Sequence, residues 1–135
     1  MAQVALLKLA VVEALEAAFA LGRHDRVREL LLDIEALKPG EQPPMLRAHA
    51  ARFRALLGEE SEQRFKTAAA LFREYGMTFE AAVVQVEHGE WLASVGRSEE
   101  AGPLLDEAGE TFEQIGATQW LERTGSAVGL EAVAP

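Results

Sequence analysis

The stretch that decides the fold runs from Gly89 to Ala101 and reads GEWLASVGRSEEA. Its first half has the composition of a helix end, Gly96 supplies a turn, and its second half begins another helix. A similar arrangement surrounds Gly22, between Leu15 and Val27. Two such helix pairs in a chain of 135 residues predict a helical repeat array. Arrays of this kind bind other molecules far more often than they catalyse reactions.

The composition is that of one folded domain with an acidic balance. Hydrophobic residues make up 49% of the chain, which is enough for a core. The net charge of −9 argues against general binding to nucleic acid, because phosphate binding requires clustered Lys and Arg. The absence of cysteine excludes disulfides, thiolate metal sites and cysteine nucleophiles, and it agrees with a reducing compartment.

The amino-terminal segment, residues 2–21, is rich in Ala, Val and Leu and could be mistaken for a signal peptide or an anchor. Lys8, Glu13 and Glu16 interrupt it. A signal peptide places its charge before the apolar run, and a membrane span with two carboxylates near its middle is costly. We therefore expect this segment to be a helix of a cytoplasmic protein that does not contact a membrane.

Hydrophobic residues recur with helical spacing almost throughout, so the sequence predicts an all-α fold. Glycines and prolines divide the chain into seven predicted helices, at about residues 3–21, 25–37, 45–57, 61–75, 78–95, 98–115 and 118–135. Glycine follows five of them, as expected for left-handed carboxyl-terminal caps. The predicted amino-terminal caps are Asp25, Thr78, Ser98 and Thr118. The proline-rich residues 38–44 are expected not to be helical.

The spacing of three glycines indicates the repeat. Gly22, Gly58 and Gly96 each end the first helix of a pair, and they are 36 and 38 residues apart. We expect a single domain over residues 1–135, in which short loops make successive helices antiparallel neighbours. The predicted repeat units are residues 3–39, 45–76 and 78–116, and a capping helix follows at residues 118–133.

The third unit resembles a tetratricopeptide repeat (TPR), a helix–turn–helix unit of about 34 residues. Gly89 matches the glycine at which the two helices pack closely, and Ala101 and Ala108 match the small residues of the second helix. The first unit matches more loosely, and the middle unit has Arg54 where an apolar residue is expected. The resemblance implies a right-handed superhelix of about three stacked, antiparallel helix pairs and a further carboxyl-terminal helix.

Residues 69–123 also resemble the TPR-like regions of large bacterial regulators. These are signal-transduction ATPases of the maltose-regulon activator type, their LuxR-type relatives, and some class III nucleotide cyclases. The shared elements are the helix ends LFREYG and TFEQIGA, the turn GRSEEAGPLL, and residues 120–123, which open the last helix. This resemblance implies a scaffold or interaction module of a signalling or transcriptional regulator, without its ATPase, cyclase or DNA-binding parts.

In TPR arrays the first helix of each pair lines a concave groove. Carrying the groove positions over to this sequence gives Glu16, Phe19, Arg52, Leu56, Glu90 and Ser94. Their mixture of apolar and charged side chains suits an amphipathic peptide segment better than a nucleotide, so the resemblance implies a protein or peptide partner. The alternative is that these are ordinary exposed positions.

The first predicted helix has an apolar surface that is too wide for one partner helix to cover. Leu6, Leu9 and Val12 belong to it. Terminal repeats normally have a polar outer face, so this helix predicts an interface. The surface could contact a preceding repeat, another domain or a second copy of the chain in a homodimer. The alternative function is therefore a structural or dimerisation element.

The sequence predicts no catalytic, cofactor or metal site. No glycine cluster has the spacing of a phosphate-binding loop. His88 and Glu90 point about 200° apart on a helix, so we expect His88 to be packed in the core and not to bind a metal. A small helical enzyme or ligand-binding protein is the third alternative, but no convergent set of polar residues supports it.

Two further groups of residues have a structural and a functional interpretation. The acidic residues of the sixth predicted helix are Asp106, Glu107, Glu110 and Glu113. We expect them to form a solvated helix face. Trp91 and Trp120 are either core residues or binding anchors, because tryptophan is enriched at interaction hot spots.

Overall fold

The computed structural model describes the backbone of residues 2–133 and the side chains of residues 9–38 and 40–127. Residues 2–133 form seven α-helices and no strand, which confirms the all-α class. The helices are α1 (Ala2–Ala20), α2 (His24–Glu35), α3 (Pro44–Leu56), α4 (Ser61–Glu74), α5 (Thr78–Ser94), α6 (Ser98–Ile115) and α7 (Thr118–Val133). Over the described residues, no helix is both long enough and apolar enough to cross a membrane.

Glycines end five of the helices in the left-handed conformation, as the sequence predicted. Their φ angles lie between 72° and 85°, at Gly22, Gly58, Gly76, Gly96 and Gly116. At the end of α5, the Arg97 N–H donates to the Leu92 carbonyl at 2.8 Å, and the Gly96 N–H donates to the Ala93 carbonyl at 3.2 Å. These bonds satisfy the last carbonyls of the helix, and they require a positive φ that glycine adopts without strain.

The amino-terminal caps differ from the prediction. Asp25 lies inside the first turn of α2, and Thr78, Ser98 and Thr118 are the first helical residues of their helices. The residues that precede α2, α5 and α6 make no side-chain cap bond. The residues at the cap positions are Arg23, Met77 and Arg97, whose side chains do not accept a bond from the orphan N–H groups. The carboxylate of Asp25 still opposes the positive end of the α2 dipole.

The proline-rich linker is more ordered than predicted. A single 3₁₀ turn, Pro39–Glu41, lies within it, and α3 already begins at Pro44. Proline fits the first position of a helix because the N–H that it lacks has no partner there. The Gln42 side-chain amide donates to the Leu37 carbonyl at 3.2 Å, which ties the linker to the end of α2.

Three clusters of buried side chains form the core, and each spans three consecutive helices: α1–α3, α3–α5 and α5–α7. Helices α3 and α5 each contribute to two clusters, so the core runs along the whole described chain. Each helix packs on its neighbours in the sequence, and α1 also contacts α3, as α5 contacts α7. Arg52 on α3 bonds to Glu87 on α5. Helices α1, α3, α5 and α7 therefore follow one another along one side of the molecule.

Helices α5 and α6 approach closely where the sequence has small residues. A Cβ atom at Gly89 would lie 2.8 Å from Leu105 Cδ2, which is closer than side chains tolerate. Ala101 and Ala108 are fully buried on the opposing helix. Arg54, which stands where an apolar residue was expected, is accommodated by ion pairs with carboxylates on either side of α3.

Candidate functional site

A cavity of about 520 Å³ opens between the inner sides of α1, α3, α5 and α7, and we call it the groove cavity. Its lining from α1 is Leu9, Val12, Glu16, Phe19 and Ala20. Its lining from α3 and α4 is Met45, His49, Arg52, Leu56 and Phe72. The remaining lining residues are Met77, Phe79, Glu80, Val83, Glu87, Trp120 and Arg123. The cavity has the size of a ligand-binding pocket, and most of its lining is apolar.

A charged bridge crosses the groove cavity. The Arg52 guanidinium donates from Nε to Glu87 Oε1 at 2.6 Å and from Nη2 to Glu87 Oε2 at 2.8 Å, and its Nη1 donates to Glu16 Oε1. Arg52 and Glu87 are only 6% and 5% exposed, so this half of the bridge is desolvated. The Glu16 side chain is 50% exposed. The bridge therefore joins α3 to α5 in the interior and α3 to α1 at the surface.

The bridge keeps Arg52 charged. Burial alone would lower the pKa of Arg52, but hydrogen bonds and charge attraction from Glu87, then from Glu16, outweigh burial and raise it. All three donor nitrogens of the guanidinium have a carboxylate partner. Arg52 thus forms a fixed polar part of the cavity lining, with one N–H of each guanidinium nitrogen bonded to a carboxylate.

Five ion pairs join residues that are about one predicted repeat apart in the sequence. One is Arg73–Glu107, with a separation of 34 residues, between α4 and α6. The other four also make hydrogen bonds. They are Glu16–Arg52, Arg52–Glu87, Glu62–Arg97 and Glu90–Arg123, with separations of 36, 35, 35 and 33 residues. Three of these pairs connect neighbouring helices along the groove side, and Glu62–Arg97 connects α4 with the start of α6. Corresponding positions of successive helix pairs therefore face one another.

The rim of the cavity at α7 combines an ion pair with aromatic rings. Arg123 donates to both carboxylate oxygens of Glu90, at 3.0 and 2.6 Å, and its guanidinium lies 4.9 Å from the Trp120 ring centroid. The bond to Glu90 raises the pKa of Arg123. The Trp120 ring stacks on Phe112 and meets Phe79 edge-on. Trp120 therefore closes the core at this end and also lines the cavity.

His49 is a buried and uncharged polar group in the lining. Its ring meets Phe72 edge-on with 4.9 Å between the ring centroids. Burial, and then the neighbouring Arg52 charge, lower the pKa of His49 to about 4, so the imidazole is neutral at pH 7. Its Nδ1 has no hydrogen-bond partner among the described residues and no contact with solvent.

The structure brings together four of the six residues that the sequence assigned to the groove. Glu16, Phe19, Arg52 and Leu56 line the groove cavity. Glu90 does not line it but holds Arg123, which does. Ser94 lies outside the lining, and its hydroxyl donates to the Trp91 carbonyl at 2.6 Å.

Two of the three apolar residues assigned to an oligomer interface lie on the same surface. Leu9 and Val12 line the groove cavity together with Glu16 and Phe19. Leu9 is 57% exposed, so a partner could contact it without unfolding α1. The side chain of Leu6 lies outside the described residues. Leu9 and Val12, which the sequence assigned to a separate interface, therefore belong to the groove.

Sequence reasoning missed several lining residues, above all Glu87. A signal was present, because Glu87 follows Arg52 by 35 residues and precedes Glu90 by almost one helical turn. Arg123 follows Glu90 by 33 residues in the same way. Opposite charges one repeat apart are therefore the pattern that would have identified the bridge.

The other candidate residues from the sequence are packed against the core or exposed to solvent. His88 stacks on the Phe65 ring with 5.2 Å between centroids, as expected for a packed histidine. Burial lowers its pKa. No group of acidic and histidine side chains in the described ranges is arranged to hold a metal ion. The acidic residues of α6 are exposed, as predicted, at Asp106, Glu107, Glu110 and Glu113.

Comparison of the chain with protein-family models, with curated proteins and with solved structures finds no match. The groove cavity and its charged bridge are therefore the basis of the functional proposal.

Proposed function

We propose that the chain is a TPR-like protein-binding module, whose groove holds an amphipathic segment of a protein partner. The observation that carries the proposal is the groove cavity, a mostly apolar concavity lined by alternate helices of the array. The ion pairs between residues 33 to 36 positions apart support a stack of similar helix pairs. In such a stack the first helices build one continuous concave surface.

The chemistry of the lining favours binding over catalysis. Arg52, Glu87, Glu90 and Arg123 are engaged with one another, so these groups hold the cavity in shape. A catalytic site presents polar groups to the substrate, whereas this lining presents mainly apolar side chains. Burying an apolar segment there would contribute about 25 cal/mol per Å² of apolar surface removed from water.

The resemblance of residues 69–123 to bacterial regulators supplies the proposed context. The module would act as a scaffold in a cytoplasmic signalling or transcriptional regulator, and it would position a partner without carrying out chemistry itself. The charge of −9 agrees with a protein partner and not with nucleic acid, since phosphate contacts need clustered basic residues.

The test is selection of peptides from a displayed random library, with a variant that blocks the cavity. Ala20 is exposed and lines the cavity, so Ala20→Trp should fill its mouth without disturbing the core. Ala70 is also exposed, lies on α4 and does not line the cavity, so Ala70→Trp is the matched control. Circular dichroism should show the same helix content for all three proteins.

We expect peptides that bind the unmodified chain and the Ala70→Trp control with equal affinity. The same peptides should bind Ala20→Trp at least about tenfold more weakly, which corresponds to about 1.4 kcal/mol. If the enriched peptides bind all three proteins alike, they use another surface and the groove proposal fails.

A structural or dimerisation role is the second candidate, and the exposure of Leu9 on α1 favours it. Association through α1 would bury Leu9 and Val12, so Leu9→Glu should convert a dimer to a monomer in sedimentation experiments. A monomer at high protein concentration, before any substitution, would contradict this role.

A further inference from the structure

The groove cavity has an unbalanced charge. Among the side chains that the structure describes, its lining contains three glutamates and two arginines, and His49 is neutral there at pH 7. Arg52 already contacts two carboxylates, and Arg123 is held by Glu90, which lies just outside the lining. The positive groups are therefore neutralised within the protein, whereas part of the negative charge is left over for a ligand.

Glu80 is the clearest of the unbalanced carboxylates. It lies in the first turn of α5 and lines the cavity, and none of the ion pairs among the described side chains involves it. Its neighbour Phe79 is exposed and meets the Trp120 ring edge-on with 6.2 Å between centroids. A carboxylate next to the exposed Phe79 ring attracts a cation, because both the negative charge and an aromatic ring are favourable to it.

Glu16 provides a second carboxylate on the opposite helix, α1. Only its Oε1 accepts a bond from Arg52, and half of the side chain is exposed. A cation could therefore bind the free side of Glu16 while Arg52 keeps both of its bonds to Glu87. The acidic groups at the two sides of the cavity flank its apolar floor.

We propose that the segment bound in the groove is basic as well as apolar, which rests on the proposed protein-binding function. Its apolar side chains enter the groove cavity, and a lysine or arginine beside them pairs with Glu80, with Glu16 available to a second cation. An acidic segment would be repelled by the same carboxylates and by the net charge of −9.

The test uses three synthetic amphipathic helical peptides with the same leucine face. Their polar positions are all lysine, all glutamine or all glutamate, and each peptide carries a fluorophore for anisotropy measurements. We expect the lysine peptide to bind about tenfold more tightly than the glutamine peptide, and the glutamate peptide to bind most weakly. The preference should shrink at 1 M salt, where the screening length falls to about 3 Å.

Glu80→Gln and Glu110→Gln separate local recognition from the general attraction of an acidic protein. Both remove one negative charge, and Glu110 is exposed on α6 outside the cavity. We expect Glu80→Gln to weaken the lysine peptide about three- to tenfold, as for loss of one charge-assisted contact of about 1 kcal/mol, and to leave the glutamine peptide unchanged. Glu110→Gln should leave both unchanged.

The outcomes distinguish this inference from the function on which it rests. If the lysine and glutamine peptides bind equally and Ala20→Trp abolishes both, the groove binds peptides but the preference for a basic segment is wrong. Equal losses in Glu80→Gln and Glu110→Gln would also overturn the inference. If no peptide binds, or if Ala20→Trp leaves binding intact, the proposed function fails together with the inference.

Discussion

The helix pairs α1–α2 and α5–α6 have the same kind of glycine turn, but the two helices pack on each other differently in each pair. Each first helix ends at a glycine with positive φ, Gly22 or Gly96. Inside α5–α6, Gly89 admits the Leu105 side chain, whereas α1–α2 buries Leu15 at the corresponding distance before its turn glycine. The comparison shows that the turn is common to both pairs, while the packing between helices is specific to each.

The same asymmetry appears in the charged bridge. On the carboxyl-terminal side Arg52 binds the buried Glu87 through two bonds, and on the amino-terminal side it binds the half-exposed Glu16 through one. A buried carboxylate depends on its partner, but an exposed one is solvated without it. We therefore expect α1 to be held to α3 less strongly than α5 is.

The largest effect should come from breaking the buried side of the bridge. Arg52→Met would leave Glu87 desolvated and unpaired, so we expect the free energy of unfolding to fall by about 3–5 kcal/mol. Urea denaturation at pH 7 measures it. The double variant Arg52→Met/Glu87→Met should recover most of the lost stability, because neither buried charge remains. A single-variant loss below about 1 kcal/mol would mean that Glu87 is solvated and that the two sides of the bridge are alike.

Acid should lower the free energy of unfolding through His49, which lies on α3 between the two sides of the bridge. This effect is separate from the difference between α1 and α5. The pKa of His49 is lowered from 6.5 to about 4, so between these values the unfolded chain binds a proton that the folded chain does not. The free energy of unfolding should therefore fall as the pH falls from about 6.5 to 4, by up to about 3 kcal/mol.

His49→Leu isolates this contribution. The variant keeps His88, whose pKa burial also lowers, so the difference between the two proteins belongs to His49. Urea midpoints measured from pH 7 to pH 4 should fall less steeply for the variant. Parallel curves would show that His49 is protonated in the folded protein.

The glycine turns and the helical segments could be predicted from the sequence because both depend on local residues. All five left-handed glycines were predicted, and the helix ends agree within about two residues apart from the linker. The caps at Asp25 and Thr78 were wrong because Arg23 and Met77 take the cap positions, and the N–H groups of these two residues also close the preceding helices. Propensity of a single residue cannot anticipate that constraint.

The site was predictable only in part, for a different reason. Glu16 and Arg52 were assigned to one surface by their equivalent positions, and the structure joins them directly. Glu87 was missed because the offset between α3 and α5 brings Arg52 to a residue one turn before Glu90. That offset depends on tertiary packing, and it cannot be derived from the periodicity of one helix.

A smaller effect should distinguish two glycines at different packing distances. Gly89→Val would drive Cβ into Leu105, so we expect a loss of about 1–3 kcal/mol by overpacking. Gly109→Ala would place Cβ 3.7 Å from Thr124 Cγ2, an ordinary contact, and should gain up to about 1 kcal/mol from helix propensity. Thermal or urea unfolding measures whether each substitution raises or lowers the free energy of unfolding. If both substitutions stabilise the protein, α5 and α6 can separate and the contrast with α1–α2 is lost.

The smallest effect should come from the exposed side of the bridge. Glu16→Gln removes one charge whose side chain is half in water, so we expect a loss below about 1 kcal/mol in urea denaturation at low salt, and less in high salt. Arg52 keeps both bonds to Glu87 in this variant, so no buried charge is left unpaired. Glu87→Gln, measured beside it, should cost several-fold more because Arg52 would then lack its buried counter-charge. If the two variants cost the same, α1 is held as firmly as α5, and the groove has two equally rigid walls.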